Sequence, residues 1–162
     1  MSAKRIGYLS LFIALSVIGG MIKVPSPVGS IALDSFPALV AAVWLGRNSG
    51  AVVGGIGHLM SALIGGFTLG PFHFMVAAEM VVVIWIFGWI YDHGKIKFAH
   101  IFFVIGNALL APLPFILIMN IGFYLGLLPM LLMATIVNAI LAAILIPRFE
   151  PFFKRRMNGT AY

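Results

Sequence analysis

The sequence predicts an all-α polytopic membrane protein of six transmembrane helices, and three observations carry that prediction. Of 162 residues, 62% are hydrophobic and 9% charged, against about 25% charged and 45–50% apolar in soluble domains. A soluble globule is excluded. Apolar runs recur between glycine, proline and charged breaks at residues 6–22, 32–46, 50–66, 73–91, 97–119 and 125–147. Since a span takes about 20 apolar residues, six spans leave little chain for anything else, and residues 1–162 read as a single transmembrane domain. Finally, an N-terminus placed inside puts Lys4, Arg5, Arg47, Lys95, Lys97, Arg148, Lys154, Arg155 and Arg156 in the cytoplasm, nine of the ten Lys and Arg. That is the bias of cytoplasmic loops, and both termini are expected to be cytoplasmic.

The first run follows Lys4-Arg5 in the manner of a signal peptide, but no Ala-x-Ala site follows it, so a retained span is expected. It carries small residues at Ala3, Gly7, Ser10 and Ala14, and Gly7, Ser10 and Ala14 are the expected docking face for another membrane protein. Lys23-Val-Pro-Ser-Pro-Val-Gly-Ser-Ile-Ala-Leu-Asp34 then reads as an ordered outer loop, its prolines fixing φ. The second and third runs join through Gly46-Arg47-Asn48-Ser49-Gly50, read as a tight turn. One merged helix would bury Arg47 and move Lys95 and Lys97 outside. The third run has Gly50, Gly54, Gly57, Ser61 and Gly65 on one face, a signature of close helix contact. Gly65-Gly-Phe-Thr-Leu-Gly-Pro-Phe-His73 forms the second outer connection and Asn120-Ile-Gly-Phe-Tyr124 the third. Ala134, Asn138 and Ala142 give the last run a stripe of its own. Asn158-Gly-Thr160 matches a glycosylation sequon but falls on the expected cytoplasmic tail, where it carries no function.

Absences narrow the function. Without cysteine there is no disulfide, thiolate nucleophile or Cys-ligated metal. The net charge of +6 is spread singly along apolar runs, which points to topology rather than nucleic acid. Gly94-Lys95-Ile96 lacks the spacing and hydroxyl of a phosphate loop, so any ATP is hydrolysed elsewhere. No His-Glu-x-x-His or Gly-x-Ser-x-Gly motif occurs; no enzyme activity, cofactor or metal is expected.

Ionisable groups in apolar runs face the bundle interior or a cavity, because lipid exposure costs about 2.5–3.5 kcal/mol or more. Asp34 opens the second span and His73 the fourth at the same outer level. Glu79 lies roughly 9 Å deeper at ~1.5 Å per residue, and His58 and Ser61 share a face of the third span. These converge on one outward-opening cavity, with Phe67, Thr68, Phe72, Trp85 and Asn120 completing the candidate substrate-binding set. Each has a structural alternative: Asp34 as the N-cap of the second helix, His73 as a cap of the fourth, His58 as a core imidazole, and Glu79 paired with His58. Asn107 and Asn138, placed nearer the inner half, are read as helix bridges. No acidic residue is expected in that half, so the polar groups suit capture from outside rather than conduction. Two rivals remain: an oligomeric secondary transporter or channel, and an intramembrane metal enzyme built on His58, His73 and Glu79.

Ile31-Ala-Leu-Asp34-Ser-Phe-Pro37, Leu45-Gly46-Arg47-Asn48-Ser49-Gly50-Ala51-Val-Val-Gly54 and Gly70-Pro71-Phe-His73 resemble the second to fourth segments of the substrate-binding S components of energy-coupling factor (ECF) vitamin transporters. The family's Ala-x-x-x-Ala docking motif is met approximately, by Ser10 and Ala14. The resemblance implies a multi-pass protein of a prokaryotic cell membrane that binds one vitamin or precursor and works with a transmembrane T component and two cytoplasmic ATPases. Within the family, Gly57-His58-Leu-Met-Ser61 and the loop to His73 are most similar to the α-ribazole type, which takes a cobalamin precursor. Such a ligand would stack on Phe67, Phe72 or Trp85 and bond to His58, His73, Glu79 and Asn120.

Overall fold

A computed structural model describes residues 3–26 and 29–158. Helix α1 spans Ala3–Met21, and an antiparallel hairpin follows, β1 Lys23–Ser26 and β2 Gly29–Ala32, with Lys23 opposite Ala32 and Ser26 opposite Gly29. Helices α2 Phe36–Trp44, α3 Arg47–Ile64 and α4 Phe72–Asp92 come next. Helix α5 Ile96–Ile105 passes through a π-helical segment, Gly106–Leu110, towards α6 Pro114–Ile118, and α7 Ile121–Asn158 ends the described chain.

Each predicted apolar run thus has its helical rod, but four of them, Ala3–Met21, Phe72–Asp92, Ile96–Ile118 and Ile121–Pro151, are long and apolar enough to cross a membrane by themselves. The run over 32–46 yields only 9 helical residues, about 13 Å of rise. Ala32 ends strand β2 and residues 33–35 are irregular, because Pro37 at the start of the helix favours initiation there and the preceding chain is held by the hairpin. The outer loop read from Lys23 to Asp34 is therefore largely a β-hairpin, a strand element in an otherwise helical chain. The turn between α2 and α3 is also shorter than expected. Gly46, at φ +93°, makes the reversal, and Arg47 already lies in α3.

Helix α2 sits at the centre, with Pro37, Ala38, Leu39, Ala41 and Ala42 buried. The α3 stripe explains this closeness: a Cβ on Gly50 would strike the Ala42 backbone, and one on Gly54 would touch Ile84 at 3.0 Å. Phe87, Phe103, Ile84 and Ile146 fill the adjoining core. Large apolar side chains such as Ile18, Phe74, Val82, Ile101 and Ile140 are exposed, the outward face expected of a bundle in lipid.

Helix α7 continues for 38 residues through Pro129, Pro147 and Pro151. Its end is pinned to the start of the chain, where Phe153 stacks on Trp44 at 4.1 Å and meets Tyr8 and Phe12 at 5.5 and 6.2 Å. At this same end Arg5 Nη2 donates to Leu45 O at 2.9 Å and to Ser49 Oγ at 3.3 Å. The Arg47 guanidinium lies 4.9 Å from the Trp85 ring centre. The bundle thus has a basic end, opposite the end that carries the hairpin and the α3–α4 loop.

Candidate functional site

At the hairpin end a cavity of about 190 Å³ is lined by the end of β2, the residues just before α2, α3, α4, the π segment and α7; its polar lining is Asp34, Ser35, His58, Asn107, Thr135 and Asn138, with Met80 and Met130 among the apolar walls. Larger hollows of about 340, 450 and 490 Å³ are almost wholly apolar grooves on the flanks. The small cavity holds the chemistry.

Asn138, 1% exposed, organises it. Its Oδ1 accepts the Ser35 and Phe36 N–H groups at 3.1 and 2.8 Å, and its Nδ2 donates to Ala32 O at 2.9 Å and Ala134 O at 2.8 Å. The α2 N-terminus, whose N-cap Ser35 makes no side-chain capping bond, is therefore capped from α7. All four hydrogen-bonding sites of the carboxamide are used. Asn107 Nδ2 donates to Thr135 Oγ1 at 2.8 Å, tying the π segment to the same helix.

Asp34 is held just before α2. Ser16 Oγ donates to its carbonyl at 2.6 Å and Ser35 Oγ to its Oδ1 at 3.2 Å. Gly57 and Gly20 permit this approach of α1 to α3, since a Cβ on Gly57 would crowd Ser16 and one on Gly20 would crowd Ser61. Asp34 Oδ2 lies 3.9 Å from His58 Nδ1, an approach longer than a hydrogen bond. On the far side of the ring, His58 Nε2 sits 3.2 Å from His73 Nδ1, and His73 Nε2 accepts the Leu69 N–H at 3.3 Å.

That last bond sets the protons. A nitrogen accepting a backbone N–H carries none itself, so Nδ1 is the His73 nitrogen left to donate. It faces His58 Nε2, and His58 Nδ1 on the other side of that ring faces Asp34. One directed chain runs from the α3–α4 loop to the cavity carboxylate. Above it, Phe67 lies 4.9 Å from the His73 ring centre in the left-handed region at φ +50°, between Gly66 at +98° and Gly70 at +54°.

Of the sequence-derived candidates, the structure brings together Asp34, His58, His73 and Phe67, with Ser61 beside Asp34 across Gly20. Others lie elsewhere. Glu79 lines the 450 Å³ groove with Met75, Phe102 and Gly106 rather than the small cavity, though it lies near enough to His58 for their charges to interact. Trp85 sits towards the basic end, where its Nε1 donates to Asn48 Oδ1 at 2.9 Å. Asn120 is exposed, and its Oδ1 accepts the Phe123 N–H at 2.9 Å at the start of α7. Phe72 meets Phe115 edge-on at 6.1 Å, and Thr68 is exposed on the loop. Asp34 is not the N-cap of α2, and His73 lies within α4 after the N-cap Pro71. Asn107 and Asn138 do bridge helices, yet they also line the cavity, as do Ser35 and Thr135. Polar side chains at 135 and 138, i and i+3 in an apolar run, were the signal for that wall.

The candidate docking residues Gly7, Ser10 and Ala14 are all exposed along α1, and a Cβ on Gly7 would meet nothing within 4 Å. By contrast, Gly50, Gly54 and Gly57 of the α3 stripe are consumed by internal contacts.

A family model described as "ECF transporter, substrate-specific component" matches residues 4–150. No curated protein matches the chain. The chain belongs to the ECF transporter substrate-specific component family, whose members are substrate-binding subunits rather than enzymes and work with a T component and ATPases.

Proposed function

We propose that this member of the ECF substrate-specific component family is a passive, high-affinity capture subunit for a vitamin or vitamin precursor of the α-ribazole type, a cobalamin precursor. In this reading the hairpin end faces outward, the basic end and both termini face the cytoplasm, and all six rods contribute crossings. Helix α2 crosses together with the hairpin. The observation that carries the reading is the segregation within the bundle: a hydrogen-bonding cavity at one end, the basic residues Arg5 and Arg47 at the other, and the apolar core of Leu39, Ile84, Phe87 and Phe103 between them.

At about 190 Å³ the cavity is smaller than the ~300–1,000 Å³ usual for ligand sites, so a nucleoside-sized ligand has to widen it. Phe67 and the α3–α4 loop over His73 are the parts that yield. Candidate contacts are Asp34, His58, Ser61, Phe67 and His73, with Asn107 and Thr135 added from the structure. The exposed stripe of Gly7, Ser10 and Ala14 is the candidate docking face for the T component.

Reconstitution into proteoliposomes tests this. The purified chain alone should bind radiolabelled α-ribazole without accumulating it, and uptake should appear only with the T component, both ATPases and ATP. Accumulation by the chain alone under an ion gradient would instead establish a secondary transporter.

A further inference from the structure

The cavity wall has a polarity of its own. Asn138 Nδ2 is committed to the Ala32 and Ala134 carbonyls, Asn107 Nδ2 to Thr135 Oγ1, and Ser35 Oγ–H to Asp34 Oδ1. His58 Nδ1 lies 3.9 Å from Asp34 Oδ2. A helix N-terminus ordinarily attracts anions, but the Ser35 and Phe36 N–H groups at the start of α2 are filled by Asn138 Oδ1. No lysine or arginine is among the lining residues. What remains open is chiefly acceptor: the Asp34 carboxylate, with roughly four lone-pair sites of which Ser35 takes one, and Asn107 Oδ1, which accepts no bond from the described residues.

We infer that the cavity recognises its ligand as a hydrogen-bond donor, with Asp34 as the specificity-determining acceptor, and that it turns away anionic, phosphorylated forms of the same molecule. The ligand class is a neutral or cationic compound bearing N–H or O–H groups on an apolar body that fits between Met80 and Met130. A phosphate at this site would face the Asp34 carboxylate with no lysine or arginine among the lining residues, in a medium of low dielectric where repulsion is many times that in water. The inference rests on the reading of this cavity as the capture site, and it adds the charge and donor character of the ligand.

The experiment measures binding to the full chain in lipid nanodiscs, using three matched pairs: α-ribazole and its 5′-phosphate, thiamine and thiamine monophosphate, and pyridoxamine and its 5′-phosphate. For any pair that binds, the unphosphorylated member should bind at least tenfold more tightly. Asp34→Asn should weaken it at least tenfold and narrow the gap to the phosphate, with the variant's folding checked by gel filtration and thermal unfolding. If Asp34→Asn does not fold, wild-type discrimination within the pairs still decides the matter. Equal or tighter binding of a phosphorylated member overturns the inference and leaves capture intact. So does a phosphate affinity that disappears in Lys23→Gln, which would place the β1 lysine as an anion receptor. Failure of every pair, with no small molecule found by mass spectrometry on the purified protein, overturns the capture reading and this inference together.

Discussion

Replacing Asn138 with Ala removes one side chain and leaves three backbone groups without a partner from it: the Ser35 and Phe36 N–H groups and the Ala32 carbonyl. The fourth bond, to Ala134 O, lies within α7 and its loss exposes nothing, because that carbonyl keeps its helical partner. Orphaned buried groups cost about 1–3 kcal/mol each in soluble proteins, whereas hydrogen bonds measured inside membrane proteins average about 0.6. Taking ~1 kcal/mol for each of three gives a loss of about 3 kcal/mol, or roughly 6–12 °C in Tm for a chain of this size. Because these groups flank Asp34, ligand affinity should fall as well, by tenfold or more. Asn138→Asp keeps an acceptor for the two N–H groups and suits the positive end of α2, so it should lose less than half as much stability. Thermal unfolding in nanodiscs and isothermal titration of the same samples read both quantities. A wild-type Tm in Asn138→Ala, or an Asn138→Asp variant as unstable as the alanine, would refute the capping argument.

Three further outcomes follow from the structure. Gly57→Val should wedge α1 from α3, since a Cβ there would lie 2.7 Å from Ser16 Cβ; the overpacking costs about 1–3 kcal/mol, seen as a lower Tm and weaker binding. Gly7→Leu, with no neighbour within 4 Å, should leave both unchanged and reduce only uptake by the assembled transporter. The chain has no cysteine, so single cysteines at Thr68 and Asn120 should react with an impermeant maleimide on intact cells, and those at Gly94 and Lys97 only after permeabilisation; the reverse pattern would invert the assigned orientation.

Composition and the length of the apolar runs pointed to a helical bundle for lipid, because a 62% apolar chain with few charges lacks the polar surface of a soluble domain and a helix satisfies its own backbone inside a membrane. That Asp34, His58 and His73 fall towards one end of the bundle was legible too, but their mutual contacts were not, since the partner expected for His58 was Glu79. Ionisable side chains in apolar runs have few places to point, and the outer loops put Asp34 and His73 at one level with His58 on the neighbouring turn of the third span. The length of α2, the hairpin before it and the partners of Asn138 were not legible, since they depend on a contact between residues 35 and 138 that no local pattern encodes. Glu79 shows the limit most clearly. Depth along a helix follows from counting residues, but whether a side chain faces the cavity or a flank depends on the rotation of α4 against its neighbours, which is set by how Gly54, Gly55 and Gly88 seat Ile84, Val81 and Arg47. The direction of the protons along the histidine chain likewise comes from a backbone N–H at Leu69, a donor that every residue but proline carries and that only the folded loop brings to His73.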